Sequence, residues 1–389
     1  MRVFITLLDG VGMGELPDAY LYGDEGSHTL RNTALLTGGL KLPHLEKLGL
    51  GWIDEIPGVN AALPIEGSYG KMRERSPGKD TTSGHWEIAG VVLSQPFPVY
   101  PSGFPEEIVD ALQVVIGTPI LGNKPASGTA IIEELGEEHL RTGFPIVYTS
   151  ADSVLQIAAH EEVIPPEQLY AMCEKVRQVM KGEHAVARII ARPFVGKPGH
   201  FERTPRRRDF SLPPPETTIL DVLQENGKKV IGIGKIKDVF AGRGLGENIK
   251  TANNFETFRV LREIHRSRDG DLIWANFNDF DTIFGHRNDP KGFAKALEEW
   301  DRELGNFIPS LGREEVLFIT SDHGCDPTTP STDHSREYAL LLAFGLKMRR
   351  GISLGVRESF ADLGATIMEI IGVSWSGKGT SFAPLLISS

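Results

Sequence analysis

Short hydrophobic runs that end in polar residues recur along the chain. Residues 3–8, 272–277 and 316–321 are such runs, and each is long enough to form one strand. Continuous apolar runs of this kind are typical of strands that are buried on both faces of a sheet. A fourth run covers residues 229–234, and helical periodicity over residues 293–307 separates two of the strands. This alternation predicts an α/β fold in which a mainly parallel sheet is flanked by helices.

Two proline-rich segments, residues 95–101 and 212–215, interrupt this pattern. Repeated prolines break regular structure, because each one removes a backbone donor and fixes φ. At 389 residues the chain also exceeds the size at which a single core stops growing. We therefore predict a core domain formed by residues 1–95 and 216–389, interrupted by an inserted domain over residues 96–215. For the inserted domain the patterns predict helices over 131–140 and 166–180 and strands over 145–149 and 186–190.

Composition narrows the class of protein. A formal net charge of −11 argues against a general nucleic-acid-binding protein, which normally carries a basic face. Two cysteines, Cys173 and Cys325, are too few for a disulfide framework or a thiolate metal cluster. Asp9 interrupts the first apolar run, and no run approaches the ~20 apolar residues of a membrane-spanning helix. We expect a soluble, cytoplasmic protein with no nucleic-acid or membrane partner, and the sequence leaves its oligomeric state open.

Carboxylates and imidazoles follow the ends of the predicted strands. Because ligands bind outside the carboxyl ends of the strands in an open α/β sheet, we expect these side chains to meet in one cleft. Mixed carboxylate and imidazole donors suit Mn²⁺ or Zn²⁺. Taken singly, each Asp could instead form a turn or a helix cap, and each His could be an ordinary surface residue. Their combination favours a site for two metal ions, with the candidate ligands Asp9, Asp281, His286, Asp322, His323 and His334.

A loop over residues 76–80 leads into a predicted helix that begins among Thr81, Thr82 and Ser83. A helix N-terminus favours a phosphoryl oxygen, and a hydroxyl at that position could act as a nucleophile near a metal ion. The alternative is that Thr or Ser simply caps the helix, and the local pattern alone favours capping.

The inserted segment is rich in basic residues, among them Arg188, Arg192, Lys197, Arg203 and the run 206–208. Arginine binds phosphate through two parallel hydrogen bonds and keeps its charge. Basic runs are more often solvated surface, so this feature supports a phosphate-handling enzyme without deciding it.

Taken together, these residues resemble those of the phosphopentomutase family, which belongs to the alkaline-phosphatase-like metalloenzyme superfamily. The resemblance runs nearly from end to end of the sequence. It is carried by the blocks 9–12, 17–19, 78–81, 84–87, 122–129, 148–162, 190–194, 279–281, 284–287, 322–324 and 332–334.

The resemblance implies an alkaline-phosphatase-like core with an inserted α/β cap, and two Mn²⁺ ions. One ion would be held by Asp9, Asp322, His323 and the nucleophile Thr81, and the other by Asp281, His286 and His334. Substrate contacts would come from the core residue Lys235 and from the cap residues Ser150, Asp152, Val154, Arg188, Ile190 and Arg203.

The implied reaction interconverts α-D-ribose 1-phosphate and D-ribose 5-phosphate, or their 2-deoxy equivalents, through a phosphothreonine and ribose 1,5-bisphosphate. A sugar 1,5-bisphosphate would act as activator. Three positions depart from the family pattern: Gly10 stands where Ser is frequent, Thr82 where a bulkier apolar residue is common, and Cys325 where Asn is more usual. The rival interpretations are a phosphomonoesterase, a cofactor-independent phosphoglycerate mutase and a metal-stabilised binding protein without turnover.

Overall fold

A computed structural model describes residues 1–61, 63–150 and 152–387. Within these ranges the strands are β1 (Arg2–Leu8), β2 (Gly12–Glu15), β3 (Ser68–Met72), β4 (Leu121–Pro125), β5 (Ile146–Thr149), β6 (Val154–His160), β7 (Arg188–Lys197), β8 (His200–Arg203), β9 (Arg208–Ser211), β10 (Val230–Ile233), β11 (Glu247–Ile249), β12 (Leu272–Phe277), β13 (Glu315–Thr320), β14 (Glu337–Gly345) and β15 (Ser353–Arg357). The α-helices are α1 (Thr29–Thr37), α2 (Pro43–Leu48), α3 (Thr81–Ile88), α4 (Glu106–Ile116), α5 (Gly128–Thr142), α6 (Pro166–Val179), α7 (Ile219–Glu225), α8 (Ile236–Val239), α9 (Asn254–Ser267), α10 (Pro290–Phe307), α11 (Ala361–Ile371) and α12 (Ala383–Leu386). None of the helices in the described ranges is both long enough and apolar enough to cross a membrane.

The structure divides into two compact units. The first joins Met1–Gln95 to Pro214–Ser389, and the second is the continuous segment Pro96–Pro213. The assignment of a catalytic role to the first unit and of a cap role to the second stays a prediction.

The first unit is built on a nine-stranded sheet, in the order β11-β10-β12-β1-β13-β14-β3-β15, with β2 paired to β14. The five strands from β11 to β13 run parallel. In β1, which lies between two of them, Val3, Phe4, Ile5, Leu7 and Leu8 are all fully buried. Apart from the buried Thr6, the strand interior is apolar because both faces of the sheet are covered, and the predicted α/β fold is confirmed.

The second unit has a mixed sheet in the order β4-β5-β6-β7-β8, with β9 also paired to β7. Here the predicted strand over residues 186–190 is misplaced, because β7 begins at Arg188 and continues to Lys197. The apolar run is interrupted at Arg192, whereas the strand continues through the buried Pro193 and Phe194 and ends in the exposed residues 195–197, so hydrophobicity alone does not mark its end.

Helix α3 is tied to the first unit by the carboxylate of Glu87, which is fully buried. It accepts hydrogen bonds from the backbone N–H groups of Arg75 (2.8 Å) and Ser76 (2.6 Å). It also accepts from the hydroxyls of Ser76 (2.6 Å) and Ser359 (2.8 Å) and from the N–H of Phe360 (3.1 Å). One side chain thus joins α3 to the loop before it and to the segment that enters α11.

We expect Glu87→Gln to destabilise the protein by about 3 kcal/mol, because the new amide would face buried backbone donors and leave them without an acceptor. The midpoint of thermal unfolding should fall accordingly. Glu369→Gln, which changes an exposed carboxylate on α11, is the matched control and should leave the midpoint within a degree or so of wild type. Equal midpoints for the two variants would contradict an anchoring role for Glu87.

Candidate metal and nucleophile site

The parallel strands of the first unit bring the predicted ligands to one edge of the sheet. Asp9 directly follows β1, and Asp322 lies two residues beyond β13. Lys235 follows β10, and Asp281 lies in a π-helical turn, Phe280–Phe284, after β12. Leu8 is paired with Phe277, and Leu7 with Thr320, so the three central strands end at nearly the same level. Parallel register therefore gathers residues that are far apart in the sequence.

One group of donors surrounds His323. Its Nε2 atom lies 3.4 Å from Asp9 Oδ1, 3.4 Å from Asp322 Oδ2 and 3.1 Å from the hydroxyl oxygen of Thr81. Asp322 is also held by the backbone N–H of Gly10, which donates to its Oδ1 over 3.2 Å. Asp9, Asp322, His323 and Thr81, which the resemblance assigns to one ion, thus lie next to one another.

A second group of donors surrounds Asp281. Its Oδ1 atom lies 3.2 Å from Nε2 of His334 and 3.4 Å from Nε2 of His286. A span of 4.8 Å encloses one donor atom from each of these three residues, and an equal span encloses Asp9, Asp281 and His323. Asp281 is therefore within reach of both groups. The division of the six ligands between two ions, with Asp322 beside Asp9 and His323, stays a prediction.

The three histidines present the same ring nitrogen to the carboxylates. Nδ1 of His286 faces the carbonyl of Thr332 at 2.7 Å, and Nδ1 of His334 faces the carbonyl of Lys79 at 2.9 Å. Nδ1 of His323 faces the carbonyl of Gly324 at 3.0 Å. Since a carbonyl only accepts, each Nδ1 carries the proton, and each Nε2 is left to face the carboxylates, as in metal-bound histidines.

Several of these atoms are buried without a hydrogen bond. They are Asp9 Oδ1, Asp281 Oδ1, Asp322 Oδ2 and His334 Nε2. Nearly all buried polar atoms in proteins have a partner, so four buried polar atoms that lie close together without one need an explanation. Oxygen and imidazole nitrogen donors with this arrangement fit a borderline divalent cation such as Mn²⁺ or Zn²⁺.

The electrostatics of the site favour positive charge. Burial by itself would raise the pKa of Asp281, but the charge of His334 and the close approach of the His286 and His334 imidazoles hold that pKa well below its usual range. Burial opposes the charged form of His323, yet Asp322, Asp9 and Asp281 raise its pKa to about 10. Burial also lowers the pKa of His286, but the adjacent Asp281 carboxylate outweighs burial and raises that pKa to about 9. A divalent ion could replace the protons that these imidazoles otherwise hold.

Thr81 is the first residue of α3, and its hydroxyl is not used to cap the helix. Asp80 is the N-cap, and its carboxylate accepts from the N–H groups of Thr82 (2.9 Å) and Ser83 (3.1 Å). The expectation that Thr or Ser caps this helix is therefore wrong. The hydroxyl of Thr81 instead faces His323, and it accepts a hydrogen bond from Nζ of Lys235 at 3.0 Å.

Lys235 also forms an ion pair with Asp9. Burial lowers the pKa of Lys235, but the charges of Asp9, Asp322 and Asp281 outweigh burial and raise that pKa above its usual value. The ammonium form therefore lies beside the Thr81 hydroxyl.

Two residues at this edge, His85 and Asn276, were not predicted to belong to the site. His85 is fully buried on α3; its Nδ1 lies 2.9 Å from the carbonyl of Thr81 and 3.1 Å from Asp322 Oδ2. Its Nε2 meets Asn276 Oδ1 at 3.1 Å, and Asn276 Nδ2 donates to Asp9 Oδ2 at 2.8 Å. The available signals were the four-residue spacing of Thr81 and His85 on one helix face, and a lone amide inside the apolar run of β12.

Gly84 lets α3 approach the loop after β13 closely. A Cβ at this position would overlap the carbonyl oxygen of Asp322. Because glycine has no Cβ, Gly84 permits the short separation between helix α3 and the Asp322 loop.

The other predicted site residues lie in the second unit. Asp152 and Arg188 form an ion pair at 3.6 Å, with about half of the Asp152 side chain exposed. Val154 is paired with Arg188 across β6 and β7, and both Val154 and Ile190 are buried. Ser150 directly follows β5, and Arg203 ends β8, near Gly128 at the start of α5. The participation of these residues in one site with Thr81 stays a prediction.

Comparisons with known proteins match almost the whole chain. The model of the metalloenzyme superfamily matches residues 1–375. The phosphopentomutase of Carboxydothermus hydrogenoformans is 56% identical over 98% of each chain, and that of Thermotoga maritima is 55% identical over 99% of this chain and 100% of its own.

Two solved structures share the fold at low sequence identity. The PH0037 protein from Pyrococcus horikoshii aligns with a TM-score of 0.51 and 16% identity over 97% of this chain and 99% of its own. Leishmania mexicana phosphoglycerate mutase aligns with a TM-score of 0.51 and 13% identity over 100% of this chain and 98% of its own. With the superfamily match, these likenesses confirm the alkaline-phosphatase-like fold class.

Adding Mn²⁺ to chelator-treated protein should raise the midpoint of thermal unfolding. An ion that binds only the folded state stabilises it by about 2.7 kcal/mol at a concentration of 100 times Kd. Asp281→Asn should lose most of this gain, because Asp281 lies within reach of both donor groups. Asp110→Asn, an exposed carboxylate on α4, is the control and should keep it. A full gain in Asp281→Asn would place the ion elsewhere.

Proposed function

The chain belongs to the phosphopentomutase family of the metalloenzyme superfamily, and we propose that it is a phosphopentomutase acting on α-D-ribose 1-phosphate, D-ribose 5-phosphate and their 2-deoxy equivalents. The resemblance drawn from the sequence is thereby confirmed at the level of the family. The observation that carries the proposal is the position of the Thr81 hydroxyl, 3.1 Å from His323 and 3.0 Å from Lys235 at the edge where the candidate ligands meet. The proposed cytoplasmic location rests on composition alone.

In the proposed reaction, Thr81 carries a phosphoryl group in the active protein. The P–O bond to Thr81 Oγ1 breaks while a new P–O bond forms to the free 5-hydroxyl of ribose 1-phosphate, which gives ribose 1,5-bisphosphate. After the bisphosphate reorients, the phosphoryl group on O1 returns to Thr81, and ribose 5-phosphate leaves. The proton lost by the 5-hydroxyl in the first transfer is balanced by the proton gained at O1 in the second.

Lys235 would stabilise the oxygen that is released in the first transfer. Negative charge develops on Thr81 Oγ1 as its bond to phosphorus lengthens, and the ammonium of Lys235 already donates to that atom. Lys235 is in turn held by Asp9, and Asp9 by Asn276, so the donor is fixed before the reaction begins. Thr81 also starts α3, and the dipole of this helix favours negative charge at its N-terminus.

The proposed cofactor is a pair of Mn²⁺ ions. One would be held by Asp9, Asp322, His323 and Thr81, and the other by Asp281, His286 and His334. When bound, such ions supply positive charge to the attacking and leaving oxygens of a phosphoryl transfer. The choice of manganese rests on the family resemblance, and the donor set agrees with it.

The second unit would supply the contacts that hold the sugar phosphate. Arg188 keeps a partly exposed guanidinium, whose orientation is set by Asp152. An arginine held in this way can bind a phosphate or sugar oxygen without losing much side-chain freedom. The full proposed set in this unit is Ser150, Asp152, Val154, Arg188, Ile190 and Arg203. A sugar 1,5-bisphosphate would restore protein that has lost its phosphoryl group, and this is its proposed role as activator.

Thr81→Ala should lower the conversion of ribose 1-phosphate to ribose 5-phosphate by on the order of 10⁴-fold or more, because it removes the oxygen that is proposed to carry the phosphoryl group. Mass spectrometry of the wild-type protein should locate a phosphate on Thr81 and find none in the variant. The matched control is Thr82→Ala, which removes the neighbouring hydroxyl and should keep most of the activity. Near-normal turnover by Thr81→Ala would make Thr82 the nucleophile.

Release of inorganic phosphate in place of ribose 5-phosphate by the wild-type protein would instead identify a phosphomonoesterase.

Asp152→Ala should raise KM for ribose 1-phosphate by about tenfold, as expected when one hydrogen-bonded charged contact is lost or disoriented. Bound metal, measured by elemental analysis, should stay at the wild-type level, because Asp152 is not among the candidate ligands. Asp110→Ala, another exposed acidic residue of the same unit, is the control for both measurements. If Asp152→Ala lost its metal, the division between ligands and substrate contacts would be wrong.

A further inference from the structure

A cavity of about 790 Å³ lies at the amino-terminal edge of the sheet in the first unit. Arg2 begins β1, Asp271 precedes β12 and Glu315 begins β13, and all three line it. Asp9 and Asp322 lie beyond the opposite ends of these strands, so the cavity is separate from the candidate metal site. Its volume is within the range of small-molecule binding sites.

The lining is mainly cationic, although the chain as a whole carries a net charge of −11. The charged residues that line it are Arg2, Lys228, Arg262, Arg266, Arg268 and Arg313, against Asp271, Glu314 and Glu315. A concave surface with one sign of charge concentrates ions of the other sign. The cavity should therefore attract anions.

The three carboxylates are already engaged within the protein. Asp271 lies 3.5 Å from Nζ of Lys228, and Glu314 is paired with Lys347. Glu315 accepts from Arg2 at 3.1 Å and meets Nε2 of His265 at 2.9 Å. The charge of Arg313 helps to lower the pKa of Glu314, after the larger effect of Lys347, but among the described residues no carboxylate lies within ion-pair distance of Arg266, Arg268 or Arg313.

An ordinary explanation for arginines in this place is that they cap the C-terminus of α9. Arg2 already fills that role. Its guanidinium donates to the carbonyls of Ile264 (2.7 Å) and His265 (3.2 Å) in the last turn, and to that of Gly270 (3.0 Å). In the described part of the chain, the side chains of Arg266, Arg268 and Arg313 make no hydrogen bond or ion pair. Their charges are therefore available to a ligand.

Two features show that this arrangement has an energetic cost. Arg268 has φ +54°, a left-handed conformation that glycine or asparagine usually supplies after a helix. Arg262 is paired with Glu303, yet burial and, to a smaller extent, the charge of nearby Arg266 lower its pKa. The cavity thus keeps like charges close together, and a bound polyanion would relieve their repulsion.

We propose that this cavity binds a small molecule that carries a chain of at least two phosphate groups, held by the side chains of Arg266, Arg268 and Arg313. Each guanidinium can bind a phosphate through two parallel hydrogen bonds. Three guanidinium groups can therefore bind a ligand with several adjacent phosphates more tightly than a single phosphate ion. Because the site lies at the other edge of the sheet from Thr81, binding there is an effector or stabilising function. It does not depend on the proposed mutase activity.

The test is isothermal titration of sodium tripolyphosphate into the full-length, Mn²⁺-loaded protein, in buffer with a fixed excess of Mg²⁺ so that metal stripping is suppressed. The test variant is Arg266→Gln/Arg268→Gln/Arg313→Gln. The control variant, Lys41→Gln/Lys175→Gln/Lys291→Gln, removes the same charge at exposed positions outside the cavity lining. We expect saturable binding in wild type and control, and affinity at least ~30-fold weaker in the test variant. Heat from chelation would be common to all three proteins.

Absence of saturable binding at millimolar tripolyphosphate, or equal affinity in the test and control variants, would overturn the proposal. A parallel titration with ATP separates the two sources of a phosphate chain. Equal affinity for ATP means that the protein recognises the phosphates alone, and tighter binding means that it also contacts the nucleoside. Mutase activity without polyanion, assayed on the same preparations, should match wild type in both variants. Its absence from every preparation would refute the proposed function and leave the binding result intact.

Discussion

The constraint on which the first unit depends is the neutralisation of three carboxylates that lie close together out of solvent. Asp9 and Asp322 are fully buried, and Asp281 is 3% exposed. An unpaired charge in such a place costs several kcal/mol, so each carboxylate must be matched by positive charge. Imidazoles, the ammonium of Lys235 and, in the proposed holoenzyme, two dications supply it. The turn after β12, the cap of α3 and the glycine at position 84 all hold these partners within a few Å of one another.

Much of the sheet and of the candidate metal site is predictable from the sequence, because both follow from two simple rules. A strand buried on both faces must be mostly apolar, so β1, β12 and β13 are visible as hydrophobic runs, with Asn276 a polar exception inside β12. Parallel neighbours place their carboxyl ends at one edge, so the polar residue after each run has a foreseeable location. Asp9, directly after β1, and Asp322, two residues beyond β13, follow from these rules without knowledge of any contact, whereas Asp281 lies in the turn after β12. The proline-rich segments show in the same way where regular structure is broken.

The rest depends on distances that residue patterns do not encode. Asp80, Thr81, Thr82 and Ser83 are all good N-cap residues, and only the position of the first turn decides that Asp80 takes the role. His85 and Asn276 lie inside segments that otherwise read as core, where a polar residue usually signals a local hydrogen bond. Asp281 reaches both donor groups because a π-helical turn follows β12, and nothing in its spacing from other ligands foretells that turn.

The placement of β1 between β12 and β13 has a consequence for how the protein is made. Val3 is paired with Leu272 and with Val316, so β1, once synthesised, has no neighbour until synthesis has reached β12. At ~5–20 residues per second, that interval is roughly 10–60 s. The segment Pro96–Pro213, by contrast, draws all its strand partners from itself and can fold while synthesis continues. An apolar, unpaired nascent strand is the kind of segment that chaperones shield, so β1 is exposed to aggregation during this interval.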